Sequence, residues 1–366
     1  MLNFIKRNLV FTVAFIAATV TCIIIPPDKA YLSYFDFKTL ACLFLTLAVV
    51  NALRNIRFFT LTAKKIILLT GNLRTLCIAL IYITFIGSML IANDMALITF
   101  LPLGYFALRQ TANEQYAPYL FILQNIAANL GGMLTPFGNP QNLYLYSFFN
   151  IPTKRFTLIM LPPFIVAVAM LTLCGLFIKP IKLEIKKAGG GFLPFYKTVI
   201  YALLFALTIL IVFRIIPYYI GLIIVTAVLL IIDRNALKAV DYPLLLTFAL
   251  FFIFSGNMAR IDAVNNFASF LLEKSALLTS AAFCQIISNV PTAILLSKFT
   301  NNYKELLLGV NIGGTGTLIS SLASLITFNT FRKNYPEKTK EYLKLFALLN
   351  VIFLGIMLTV AFLFFR

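Results

Sequence analysis

One acidic residue lies in the middle of an apolar segment. Asp94 follows Asn93 within IGSMLIANDMALITFLPL, a run that is otherwise almost without charge or strong polarity. A carboxylate inside a membrane is costly and by default indicates a function. The functional interpretation is a carrier of a proton or a cation in a coupling step. The structural alternative is that Asp94 caps the helix that follows it, and the sequence leaves both open.

A second feature is a match between two parts of the chain. Residues 129–144 read NLGGMLTPFGNPQNLY, and residues 311–326 read NIGGTGTLISSLASLI. Aligned at a shift of 182, the difference between positions 129 and 311, the copies share an asparagine, two glycines, a threonine and a leucine. Each copy follows an asparagine inside an apolar segment, Asn93 before the first and Asn289 before the second. Because two elements recur in the same order, we interpret them as an internal repeat rather than as two similar glycine-rich bends.

The residues of the two copies predict interrupted helices. Pro136, Gly138 and Pro140 follow a glycine pair, and proline and glycine do not continue a helix through such a segment. Backbone groups freed inside a membrane need partners from protein, water or a ligand. Oxygen atoms at the breaks could coordinate Na⁺, and helix N-termini could face an anion. The alternative is that the small residues only allow close helix packing.

These arguments define a candidate site. The predicted substrate- or ion-binding residues are Asn93, Asp94, Asn129, Thr135, Asn139, Asn142, Ser288, Asn289, Asn311, Thr315 and Thr317. The predicted backbone-break residues are Gly131, Gly132, Gly138, Gly313, Gly314 and Gly316.

Composition restricts the class of protein. Of 366 residues, 61% are hydrophobic and only 11% are charged, whereas about a quarter are charged in soluble domains. The net charge of +18 comes from Lys and Arg between apolar segments, which is typical of cytoplasmic loops and favours anionic lipids over nucleic acid as partners. The chain has no histidine, and its five cysteines are scattered singly. We therefore expect no enzyme, no metal centre and no cofactor other than Na⁺ or H⁺ as a coupling ion.

The apolar segments predict a single polytopic α-helical domain over residues 1–366. Its expected helices are 8–26, 37–53, 118–149, 156–178, 197–213, 217–232, 243–258, 304–329 and 343–365, with a basic amphipathic stretch at 54–70, a basic linker at 330–342, and interrupted hairpins at 74–108 and 275–299. Most of the 30 Lys and Arg residues then fall on the side of the N-terminus, which predicts a cytoplasmic N-terminus. Five crossings separate the two asparagine breaks. The repeat cores, 70–178 and 243–330, are therefore expected to be inverted relative to each other, an arrangement that marks a transporter binding site.

Four motifs resemble one family of transporters. NDMALITFLP (93–102) resembles the Asn-Asp hairpin tip of the arsenite permease and NhaD-type antiporter branch of the ion transporter superfamily. TPFGNPQN (135–142) resembles that superfamily's Thr-x-x-Gly-x-Pro-x-Asn break, SNVPTA (288–293) its second hairpin tip, and NIGGTGT (311–317) the matching second break. The order agrees, and the resemblance covers roughly residues 70–330, although it says little about the substrate.

The resemblance implies an inverted-repeat transporter with two re-entrant hairpins, two broken helices, and scaffold and transport domains. It also implies a homodimer and elevator-type alternating access, and we expect the protein in a bacterial or archaeal cytoplasmic (inner) membrane. By motif match, one half-site holds Asn93, Asp94, Thr135, Asn139 and Asn142, and the other holds Ser288, Asn289, Asn311, Thr315 and Thr317.

The tips depart from one branch of that superfamily. Its dicarboxylate–sodium symporters carry Ser-Asn-Thr at both tips, whereas this chain has Ala92-Asn93-Asp94 and Ser288-Asn289-Val290. A carboxylate at the tip would repel a dianion. The sequence therefore favours an ion-coupled permease for a small inorganic or organic anion or an arsenite-like solute. A Na⁺/H⁺ antiporter is the main alternative, and a passive channel and a membrane enzyme are the others.

Overall fold

The computed structural model describes residues 9–183 and 192–365, which form α-helices and short 3₁₀ turns and contain no strand. The α-helices are α1 (Leu9–Ile24), α2 (Phe37–Asn55), α3 (Phe58–Ile67), α4 (Leu73–Ile91), α5 (Asn93–Gln110), α6 (Ala117–Gly131), α7 (Pro140–Phe148), α8 (Thr153–Leu176), α9 (Phe195–Val212), α10 (Tyr218–Ile232), α11 (Arg234–Lys238), α12 (Tyr242–Ala259), α13 (Asp262–Lys274), α14 (Ala276–Ile287), α15 (Asn289–Leu296), α16 (Tyr303–Ile312), α17 (Leu322–Asn334) and α18 (Thr339–Phe365).

The helices have the lengths and composition of membrane spans. Six of the helical segments in the described ranges are long and apolar enough to cross a bilayer, namely α2, α4, α8, α9, α12 and the segment Pro336–Phe364 that includes α18. Shorter apolar helices are α1, α10 and α14. The predicted all-α polytopic class is confirmed.

Some predicted boundaries were wrong. The basic stretch 54–70 is interrupted at Arg57, whose φ of 59° ends α2 and lets α3 start in a new direction. The expected linker 330–342 is mostly helical, because α17 continues to Asn334 and α18 begins at Thr339. Helix α13 was not predicted, since its polar face hides it from a search for apolar runs. Lys6, Arg7, Lys186 and Lys187, which entered the charge argument, lie outside the described residues.

Both predicted hairpins and both predicted breaks are present. Helices α4 and α5 pack together and turn at Ala92, and α14 and α15 pack together and turn at Ser288. After α6, a 3₁₀ turn and an extended residue at Thr135 precede α7. After α16, irregular chain over residues 313–321 precedes α17.

Contacts between the helices α4–α8, the first set, and the helices α14–α18, the second set, are reciprocal. Helix α5 packs against α17, and α15 packs against α7. Likewise α6 packs against α18, and α16 packs against α8. In both cases, a contact between a helix of the first set and a helix of the second has a counterpart between the two helices that correspond to them in the other set.

Two of the predicted break glycines also allow close helix packing. A Cβ atom on Gly131 would lie 2.3 Å from the Phe85 carbonyl oxygen of α4. A Cβ atom on Gly313 would lie 2.9 Å from the Ala281 Cα atom of α14. Real Cβ atoms do not approach so closely, so glycine is required for α6 to lie on α4 and for the end of α16 to lie on α14.

Candidate functional site

The two hairpin tips share an unusual backbone conformation. Ala92 has φ 66° and ψ 151°, and Ser288 has φ 75° and ψ 160°. Residues with side chains rarely adopt this region, and holding one there costs about 1–3 kcal/mol. Such strain persists only where the surroundings impose it, and it is concentrated at functional sites.

Each tip is anchored to the break that follows it in the chain. The Asn93 amide donates to the Gly138 carbonyl over 3.2 Å, and the Asn289 amide donates to the Ser320 carbonyl over 3.0 Å. Positions 138 and 320 correspond under the shift that aligns the copies. The Oδ1 atoms of Asn93 and Asn289 each accept from the next amide over 2.9 Å. Both asparagines therefore hold a helix N-terminus at the tip.

The threonines of the predicted site also hold the breaks in place. The Thr135 hydroxyl donates to the Met89 carbonyl over 2.8 Å, and the Thr317 hydroxyl donates to the Gln285 carbonyl over 3.1 Å. Thr315 is fully buried and donates to the Ile312 carbonyl over 2.6 Å. These hydrogen bonds tie the breaks to neighbouring chain.

Protein side chains satisfy most of the carbonyls freed by the breaks. Asn142 donates through Nδ2 to the carbonyls of Gly132 and Met133, each over 3.2 Å, and of Thr135 over 3.3 Å. Of the three expected sources of partners, protein, water and a ligand, the first break uses protein for these carbonyls.

The second break has a different partner. Gln285 donates through Nε2 to the carbonyls of Gly313 over 2.8 Å and Thr315 over 3.3 Å, and its Oε1 accepts from the Thr317 amide over 2.9 Å. Gln285 was not among the site residues predicted from the sequence. The available signal was an amide side chain in apolar α14, one helical turn before Asn289.

Three hydrogen bonds between side chains connect the first break region to the second. Asn139 donates to the Oδ1 atom of Asn311 over 3.2 Å, and Asn129 donates to the hydroxyl of Ser321 over 3.1 Å. In addition, Asn311 donates to the Oδ1 atom of Asn142 over 2.6 Å. All five side chains are buried, so the breaks form one polar network across the centre of the fold.

Three buried oxygen atoms in this region have no hydrogen-bond partner. They are Asp94 Oδ1, Asn139 Oδ1 and Gln141 Oε1. Asp94 and Gln141 line a cavity of about 40 Å³ between the tips, together with Ser288 and Asn289, and we call it the tip cavity. Asp94 and Asn139 line an adjacent cavity of about 80 Å³, which we call the side cavity. Buried acceptors without donors are what a cation or a protonated ligand would complete.

The unpartnered oxygens belong to one repeat only. Alignment of the tip residues Asn93 and Asn289 pairs Asp94 with Val290, and the shift of 182 pairs Asn139 with Ser321 and Gln141 with Ala323. Val290 and Ala323 carry no polar side-chain atom, and the Ser321 hydroxyl is hydrogen bonded. The two halves of the site therefore differ in chemistry, although their backbones correspond.

Helix N-termini surround the tip cavity. Asn93, Pro140, Asn289 and Leu322 begin α5, α7, α15 and α17, and all four residues line this cavity. A helix N-terminus carries a partial positive charge. The cavity thus combines a carboxylate with four positive helix ends.

A third, open cavity of about 750 Å³ leads to this region, and we call it the wide cavity. It shares Leu244, Thr247 and Leu322 with the tip cavity, and Asp241 and Thr317 also line it. Of the described residues that line the three cavities, only Asp94 and Asp241 are ionisable, and none is Lys or Arg.

The loop after α9 contacts the C-terminal end of α7 through Arg214. Arg214 donates to the carbonyls of Ile151 and Tyr146, and its guanidinium carbon lies 4.1 Å from the centre of the Tyr146 ring. These contacts hold the loop against the connection between α7 and α8.

The predicted site residues separate into two groups. Those that line the cavities are Asn93, Asp94, Asn139, Ser288, Asn289 and Thr317. Those that do not line these cavities and instead make the hydrogen bonds described above are Asn129, Thr135, Asn142, Asn311 and Thr315. Their roles in binding stay predictions.

Comparison with known proteins agrees with the fold. The family model described as citrate transporter (CitMHS) matches residues 1–303. The uncharacterized transporter MJ0456 of Methanocaldococcus jannaschii is 35% identical over 305 residues, which cover 82% of each chain. The inner membrane protein YbiR of Escherichia coli K12 is 28% identical over 304 residues, which cover 81% of each chain. The chain is therefore an integral membrane transporter and belongs to the citrate transporter family.

Proposed function

We propose that this protein is an ion-coupled secondary transporter of a small anion or an arsenite-like solute. In this proposal one monovalent cation, Na⁺ or H⁺, binds at Asp94 with Asn139 and Gln141, and the solute binds between the hairpin tips. The observation that carries the proposal is the set of three unpartnered oxygens, of which those of Asp94 and Gln141 belong to residues of the tip cavity and those of Asp94 and Asn139 to residues of the side cavity.

The charges around the cavity give a physical reason for coupling. Without a cation, the Asp94 carboxylate repels an anion that approaches the tips. With the cation bound, this charge is neutralised and the four helix N-termini remain, which favour an anion. Cation binding therefore comes first and makes the solute site competent, so the solute does not move without the cation.

The size and charge of the site favour a small solute. A cavity of about 40 Å³ admits a few water-sized groups, and no Lys or Arg of the described residues lines it. A multiply charged carboxylate would lack the cationic partners that such ligands commonly find in proteins. Citrate, the substrate in the family's name, is for this reason a weaker candidate than a monovalent anion or a neutral hydroxide.

A Na⁺/H⁺ antiporter is the second candidate function. It is favoured by the absence of basic side chains among the described residues that line the cavities, together with the carboxylates of Asp94 and Asp241. In this case the cation is the cargo, and Asp94 exchanges Na⁺ for H⁺.

The reciprocal helix contacts support a transport cycle based on two related halves. If the sets α4–α8 and α14–α18 are inverted repeats, exchanging their conformations closes one side of the membrane and opens the other. We propose that these sets form a transport domain that moves against a scaffold including α2, α9 and α10, in a homodimer surrounded by anionic lipids.

The proposal is tested with Asp94→Asn in detergent and in proteoliposomes. Wild-type protein should be stabilised against heat by Na⁺ or by a change of pH, and Asp94→Asn should lose this response while still inserting and folding. Asp36→Asn is the matched control, because Asp36 caps α2 and lines none of the three cavities. A wild-type cation response in Asp94→Asn would refute the cation site.

Flux measurements then separate the two candidates. Proteoliposomes with a Na⁺ gradient and an internal pH dye, but without any anion, should stay silent for a symporter and respond for an antiporter. Addition of labelled arsenite, phosphate or citrate should give Na⁺-dependent or pH-dependent uptake only in the first case.

A further inference from the structure

Asp241 lies where the wide cavity meets the side cavity. It is exposed and lines both spaces, whereas Asp94 lines the side cavity and the tip cavity but not the wide one. Asp241, Leu244 and Leu322 are common to the wide and side cavities. Asp241 and Asp94 therefore both line the side cavity, and we call the wide, side and tip cavities, in this order, the path.

The side chain of Asp241 is held in place by the backbone. Its Oδ1 atom accepts from the Leu244 amide over 3.0 Å and caps the N-terminus of α12. No Lys or Arg of the described residues forms an ion pair with it. The cap fixes the position of the carboxylate at the boundary, without a described basic side chain paired to it.

A cation that enters this path meets an unfavourable potential. The helix N-termini around the tip cavity repel a cation. This repulsion does not come from basic side chains, because none of the described residues that line the path is Lys or Arg. A negative charge at the mouth raises the local concentration of cations and offsets this repulsion. The Oδ1 atom of Asn139 and the Oε1 atom of Gln141 have no hydrogen-bond partner, and both side chains are only 1% exposed, so the path ends at acceptors suited to a cation.

We propose that Asp241 recruits the monovalent cation from the wide cavity and passes it to Asp94. This inference rests on the proposed function, since it assumes that a cation binds at Asp94. It assigns to Asp241 a role in cation affinity, exerted through its charge on the approaching ion and on the potential at Asp94 rather than as a ligand in the final site.

The test uses Asp241→Asn in the full-length protein, with NaCl as the probe and thermal stabilisation in detergent as the measurement of Kd. Asparagine is as good an N-cap as aspartate, so the substitution removes the charge and retains the cap. At low ionic strength we expect a Kd for Na⁺ roughly fivefold higher than in the wild type, from the loss of one nearby charge. In about 1 M choline chloride, where the screening length is about 3 Å, the two values should agree within about twofold.

The controls separate this inference from a structural role and from the proposed function. Asp36→Asn, which removes the capping carboxylate of α2, should leave the Kd for Na⁺ unchanged at both ionic strengths. Asp241→Ser, also uncharged and able to cap, replaces Asp241→Asn if that variant does not fold and should give the same shift. An unchanged Kd, or a shift that persists at high salt, overturns the role of Asp241. If the wild type itself shows no response to Na⁺, the assignment of Na⁺ at Asp94 fails first.

Discussion

Asn139 donates a hydrogen bond to Asn311, and the equivalent bond under the repeat runs from Asn129 to Ser321. Position 129 corresponds to 311, and position 139 corresponds to 321. The same contact is therefore made twice with the copies exchanged. Each break is stabilised by the break of the opposite copy, so the two halves of the site are expected to fold and move as one body.

This relationship predicts energetic coupling between the breaks. Asn139→Ala, Asn311→Ala and the double variant form a cycle, and we expect a coupling energy of about 0.6 kcal/mol and at most about 1.7 kcal/mol, the range found for hydrogen bonds inside membranes. Unfolding in mixed micelles measures it. Thr99→Ala with Asn311→Ala is the control cycle, because Thr99 bonds only within α5. Additive effects of Asn139 and Asn311 would contradict the linkage.

Truncation of Gln285 and truncation of Gln141 should have different effects on stability and on cation binding. Gln285→Ala leaves two carbonyls and one amide of the second break without their partner, and we expect a loss of stability of about 1–3 kcal/mol. Gln141→Ala removes an oxygen that has no hydrogen-bond partner, so it should change stability less and weaken cation binding more. Unfolding in mixed micelles and Na⁺-induced stabilisation measure the two effects. Equal losses of stability with unchanged cation binding would contradict this division of roles.

The strained tip predicts an unusual tolerance for glycine. Ala92→Gly should be neutral or stabilising, since glycine adopts φ 66° without steric cost. Ala92→Val should destabilise the hairpin by at least about 1 kcal/mol and reduce transport, because a β-branched residue is excluded from this region. Ala96→Val, a substitution in the same helix pair at a buried position with ordinary helical geometry, controls for the added volume. If the two valine variants behaved alike, packing rather than backbone strain would explain the tip.

The sequence predicted the features that local residue chemistry determines. Proline and glycine ended the helices near Gly132 and Gly313, and Asn93 and Asn289 marked the tips within one residue of the turns. It did not predict which groups satisfy the breaks, because Gln285 reaches Gly313 from a helix almost thirty residues away and this pairing depends on how α14 packs on α16. For the same reason the sequence could not distinguish the polar residues of the breaks from one another. In the structure the Asn142 side chain donates to backbone carbonyls, whereas the Oδ1 atom of Asn139 has no hydrogen-bond partner.

The difference between the two halves predicts the number of cations. Symmetric halves would bind one cation each, but among the described tip and break residues the oxygens without a hydrogen-bond partner all belong to the first half, and the second half has Val290 where the first has Asp94. We therefore expect a single class of Na⁺ site and a Hill coefficient near one for Na⁺-dependent stabilisation or uptake, because independent filling of one site gives no cooperativity.

Val290→Asn should not create a second site, since Ala323 offers no oxygen at the position of Gln141 and the Ser321 hydroxyl is already bonded to Asn129. Titrations of the wild type, Asp94→Asn and Val290→Asn measure this. Cooperative Na⁺ dependence in the wild type that survives Asp94→Asn would place a cation in the second half and contradict the asymmetry.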